Sequence, residues 1–177
     1  KQQNKMTLQM TSLPSTDNKM LTPIHPEFNK QILKMKMNDI VSIALNDKPS
    51  SLTKQMKLDQ EKTIDIIMLL LIKFQDFYNC KSKMEKHQLE ETAYLITQRF
   101  GHFNWYDISM CLKLAKMNEK VFDRIDGGMI LEWLVRYDIT RTGMIVTERE
   151  KQHSQYNSNW SSLSERSSIQ KLKDFLR

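Results

Sequence analysis

Residues 50–100 contain neither proline nor glycine, and that absence constrains this 177-residue chain more than any motif in it. All four prolines (Pro14, Pro23, Pro26, Pro49) lie before that stretch, and all four glycines (Gly101, Gly127, Gly128, Gly143) lie after it. Each proline fixes φ and removes a backbone donor, so the first segment reads as an irregular arm. Glycine at tight reversals carries no Cβ penalty, so the later set reads as punctuation between helices. A stretch without either breaker is what long helices require.

Hydrophobic spacing predicts five helices. The first runs from about Pro26, a favoured residue at a helix start, to Leu45. The segment 47–53 reads as a loop. The second, about 59–79, carries Ile64, Ile67, Leu71, Phe74 and Tyr78 and is apolar on further faces, as expected of a helix buried inside a bundle. The third bears Leu89, Ala93, Ile96 and Phe100 and stops at Gly101, read as its C′ residue. Asn104 is the expected cap of the fourth, whose stripe is Ile108, Cys111, Leu112 and Ala115, with Asp107 near its positive end. Asp126 is the expected cap of the fifth, with Ile130, Trp133, Leu134 and Tyr137 facing inward. The prediction is an all-α bundle of about five helices over 27–153, with an extended arm at 1–26. A Ser-rich linker is expected at 154–168, and no heptad run is read in the chain. A short amphipathic docking helix is expected at 169–177, with Ile169, Leu172, Phe175 and Leu176 on one face. A helix that short is marginal in water and needs a groove to lie in. The arm likewise has too little apolar surface to order alone, so both ends are expected to dock on a protein partner or a second copy.

Charge is uneven. Residues 1–58 carry nine lysines and four acids, 59–140 eleven bases and thirteen acids, and 141–177 seven bases and four acids. The basic character belongs to the ends, a pattern that gives weak attraction to polyanions rather than a dedicated nucleic-acid face. Within the fourth helix Lys113 and Lys116, followed by Lys120 and Arg124, form a basic row that could track phosphates. A solvated lysine face is the competing reading. Phe103, Trp105 and Tyr106, beside His102, mark a turn. They read as anchors onto the core, with base stacking as the alternative.

Catalytic and metal signatures were sought and fail. His25, His87, His102 and His153 are isolated from one another and from Cys80 and Cys111, so neither zinc nor a disulfide framework is expected. The acidic run at Asp123 resembles a calcium loop only in its DRIDGG start, since Leu134 stands where a bidentate Glu is required. No nucleophile elbow or phosphate-binding glycine loop occurs. A helix-turn-helix is disfavoured because Asp107 falls where an apolar residue belongs. No enzyme and no cofactor is expected. The longest apolar run, Ile66–Ile72, is far short of a membrane span, and the N-terminal ten residues lack the apolar core of a secretory leader. With two reduced cysteines, a reducing compartment is expected.

The segment LEETAYLITQRFGHFNWYDISMCLKLAK followed by VFDRIDGGMILEWLVRYDITR resembles an uncharacterised family of small helical proteins. The family is found in Bacteroidetes and their phages and mobile elements. The positions that carry the resemblance are Thr92, Ala93, Ile96, Asp107, Lys116, Phe122, Asp126, Trp133, Tyr137 and Arg141. It covers about 85–141, and the chain departs by lacking a glycine just before Val121, where Glu119 and Lys120 stand. The resemblance implies a non-enzymatic role near virion assembly or replication. The first expectation is an assembly protein of a phage or mobile element. The alternative is a replication accessory that binds nucleic acid or a helicase through the basic row.

Overall fold

Local capping chemistry divides the chain more finely than its hydrophobic spacing does. The computed structural model describes residues 23–78, 80–121 and 123–175, with the backbone alone over 157–175. The described residues form α1 (Pro26–Lys34), α2 (Met37–Asn46), α3 (Leu52–Leu58), α4 (Gln60–Gln75), α5 (Lys86–Arg99), α6 (Trp105–Asn118) and α7 (Gly127–Phe175). No strand occurs among them, so the fold is all-α. A single bridge at Ser82 and Arg124 pairs the α4–α5 and α6–α7 loops.

The single helix expected over 26–45 is two. Asp39 takes the Lys36 backbone N–H at 2.7 Å and starts a new helix there. The end of α1 is held from elsewhere: Lys113 Nζ donates to the Ile32 and Met35 carbonyls at 3.1 and 2.6 Å. The loop expected through residue 53 is also shorter than predicted. Ser51 Oγ accepts the Lys54 N–H and opens α3, whose seven residues are too few to show a period. Asp59 then caps α4 through the Lys62 N–H at 3.0 Å.

The third and fifth boundaries differ as well. Gly101 does not adopt a positive φ, so it is not a left-handed helix stop. Its function is close approach: the Thr53 side chain occupies the place of a Cβ, and the Gly101 carbonyl accepts the Thr53 N–H at 2.9 Å. Asp126 does cap α7, accepting the Met129 N–H at 3.0 Å. That helix, however, runs unbroken for 49 residues, so 154–168 is helix rather than a linker, and the expected terminal docking helix is its last turns. Its length is roughly 70 Å at 1.5 Å per residue. The arm at 1–22 lies outside the described residues.

Packing gathers α3, α4 and α5 on one side and α1, α2 and α6 on the other, with α7 against α2, α5 and α6. One continuous core results. It includes Ile40, Leu52, Ile67, Leu71, Phe74, Ile96, Ile108 and Ile130. Phe74 meets Trp133 edge-on at 5.6 Å and ties α4 to α7, while Phe28 meets Tyr106 at 5.0 Å and ties α1 to α6. Among the side chains described, Arg141 is the last buried one in α7, and every side chain from 149 to 156 is exposed.

Candidate functional site

Three of the positions that carry the resemblance, Asp107, Tyr137 and Arg141, meet in one buried unit. Asp107 has no solvent exposure. Its Oδ1 accepts from Tyr137 Oη at 3.0 Å and from Arg141 Nε at 2.5 Å. Its Oδ2 accepts the Asn104 N–H at 3.0 Å, while Asn104 Oδ1 takes the Tyr106 and Asp107 N–H groups, a reciprocal cap of α6. Arg141 also lies over the Phe103 ring at 5.5 Å. Burial and the Asp107 carboxylate raise the Tyr137 hydroxyl far above its ordinary range, so it is a permanent donor. Both oxygens of the Asp107 carboxylate and the Tyr137 hydroxyl have protein partners, and the unit ties α6 to α7.

The other described positions of that pattern are structural too. Thr92, Ala93, Ile96 and Trp133 are buried, and Asp126 is a cap. Gly127 is present because the Thr92 side chain occupies the place of its Cβ, which sets how closely α5 and α7 approach. Phe122 lies outside the described residues. A histidine–carboxylate pair exists, His102 Nε2 to Asp138 Oδ1 at 2.9 Å, and Thr142 Oγ1 donates to the same carboxylate at 3.3 Å. A nucleophile must bond the imidazole, and here the hydroxyl bonds the acid, so the trio is no triad. No group of three His, Cys, Asp or Glu side chains suited to a metal occurs among the described residues. Burial pushes the Cys111 thiol up to about 12, which leaves it unreactive at neutral pH.

The aromatic turn is an anchor. Phe103 is fully buried, stacks on Phe100 at 5.2 Å and meets Tyr137 edge-on, while the Phe103 carbonyl accepts the Leu52 N–H. Trp105 is buried beside it. The four cations of the basic row do not act alike. Lys113 caps α1. Lys116 lies over the Phe74 and Phe77 rings at 5.7 and 5.0 Å, and burial lowers its pKa. Lys120 is exposed, and Arg124 is exposed with Asp126 at 3.4 Å. Of the terminal docking residues, Ile169, Leu172 and Phe175 belong to α7, with side chains outside the described set, and Leu176 lies beyond it.

What hydrophobic spacing did not reveal is a groove of about 540 Å³ between α1, α4 and α6. Its floor is Ile32, Leu70, Phe74 and Leu112, with Lys73, Lys113 and Lys116 along it and no carboxylate in its lining. Leu33, Phe77 and Met117 stand on its rim, 69, 59 and 68% exposed. The signal was divided among three helices, and a one-helix reading of the lysine row could not collect it. Comparison with protein-family models, with curated proteins and with solved structures gives no match.

Proposed function

We propose that this chain is a non-enzymatic assembly protein that docks into a larger complex through its terminal segments, α7 above all. One observation carries the reading: α7 continues to Phe175, and every side chain from 149 to 156 along it is exposed. Most helical stability in proteins comes from packing of an apolar face, so such a stretch gains from something laid along it. The family resemblance at Thr92, Asp107, Tyr137 and Arg141 supports a setting in a phage or mobile element of a bacterial host, within the cell or the virion.

Hydrogen exchange on the isolated chain, with light scattering to fix its mass, tests the proposal. Amides of 149–175 exchange early in the monomer and become protected on assembly, whether with a second copy or with another protein. A monomer that protects this stretch as strongly as the core overturns it. The replication-accessory alternative ranks second. Of its four cations, Lys113 and Lys116 are engaged within the fold, which leaves Lys120 and Arg124 to carry phosphate binding.

A further inference from the structure

We propose that the groove between α1, α4 and α6 receives an acidic amphipathic helix of a partner protein. The apolar face of that helix lies on Leu33, Phe77 and Met117, and its carboxylates reach Lys73 and Lys116. The site is separate from α7 and does not depend on the assembly reading.

Three observations converge. First, the rim residues are large, apolar and exposed, while the floor is continuous with the core. Grooves of this kind take the i, i+3, i+4 and i+7 side chains of a bound helix, and methionine adapts to them. Second, the groove holds three ammonium groups and no acid. None of Lys73, Lys113 or Lys116 forms a salt bridge among the described residues, although nine such bridges form elsewhere among them. Lys113 and Lys116 are half-buried and Lys73 is exposed, and cations without a counter-carboxylate define the sign of what is missing. Third, Ser109 lines the same groove, and its hydroxyl is buried with no hydrogen-bond partner. The cleft between α2 and α7 offers a contrast: it contains its own Glu148–Lys151 pair and has no charge to satisfy.

The charge also argues against the chain's own ends as occupants. Residues 1–22 hold three lysines and one aspartate, and 141–177 carry a net excess of three bases, so both would bring like charge to the lysines. An acidic partner removes that conflict and gains steering from it.

The probe is a designed amphipathic peptide of about 16 residues, with leucines at helical spacing and glutamates on the flanks, titrated into the full chain and followed by amide chemical shifts. A twin with lysines in place of the glutamates is the control. The expected result is binding of the Glu peptide alone, with shifts at Leu33, Phe77, Ser109 and Met117. The Lys73→Gln, Lys116→Gln double variant weakens binding about tenfold or more. Its circular dichroism melt, and that of Phe77→Ser, stays cooperative, because Lys73 and Phe77 are exposed and Lys116 only half-buried. Equal binding of the two peptides, or binding of neither, overturns the proposal. So does an oligonucleotide that displaces the Glu peptide from the same amides, which assigns the groove to nucleic acid. Self-association abolished by the same lysine variants assigns it to a second copy and overturns it too. Each result is read at α1, α4 and α6, and is therefore distinct from failure of the exchange experiment on α7.

Discussion

Asp107 shows how one side chain can hold a fold together at considerable risk. Two donors on one oxygen and a backbone N–H on the other leave it fully paired at zero exposure. Removing the carboxylate strands the Arg141 guanidinium, so Asp107→Ala is expected to cost about 3–5 kcal/mol in urea denaturation. Tyr137→Phe removes one hydrogen bond to a charge, about 1.5–3 kcal/mol. Replacing Asp107 and Arg141 together by methionine is expected to recover most of the loss, since well-packed apolar groups often match a buried pair. Cys111 supplies a pH prediction. Its thiol is raised by burial from an ordinary 9.0 to about 12, so the unfolded chain ionises first. The folded state binds the extra proton, and the contribution is therefore intact below pH 9 and lost as pH rises towards 12. The urea midpoint should fall across that window, and Cys111→Ala should flatten the part of the slope that begins near pH 9.

Among the elements, the approach of α5 to α7 is set by a single absent methyl group. A Cβ at residue 127 meets the Thr92 hydroxyl, which itself donates to the Gln88 carbonyl at 2.6 Å. Gly127→Ala is expected to destabilise by about 1–3 kcal/mol through overpacking. Adding Thr92→Ala clears the space, so the double variant should be more stable than the sum of the two singles predicts. The assembly proposal makes the opposite prediction for the end of α7: deleting 157–177 should leave the thermal midpoint of the bundle within about 2 °C of the parent. The same deletion should abolish the protection that assembly confers on 149–156.

At the scale of the molecule, two surfaces of different character belong to one core: a long helix exposed over 149–156, and a groove with cations and no acid. The chain's net charge of +6 makes weak binding to any polyanion expected, and that must be separated from a site. Lys120→Glu with Arg124→Glu leaves both α1 capping and the groove intact. If the replication alternative holds, this pair alone lowers DNA affinity and flattens its salt dependence in a filter-binding titration. If binding is diffuse, the loss is only what two charges contribute.

Much of the architecture was legible in the chain. The inward stripes of α4 to α7 follow from hydrophobic spacing, and Asn104 and Asp126 announce their caps by side-chain type. Even the length of α7 was legible by the reasoning applied to 50–100, because no proline or glycine occurs after Gly143; serine content outweighed that signal. Short-range chemistry sets these features, and short-range chemistry is readable in one dimension. Other features were decided only by tertiary contact. The end of α1 depends on Lys113, 78 residues beyond the Met35 carbonyl it bonds, and the place of Gly101 depends on Thr53. Asp107 read only as an acid near the positive end of its helix, and its buried pairing appears once Tyr137 and Arg141 are brought to it from α7. The groove exists only where three helices meet. Spacing along a chain encodes which face of a helix is apolar, but not which partner covers it, because that choice is made by packing between residues far apart in sequence.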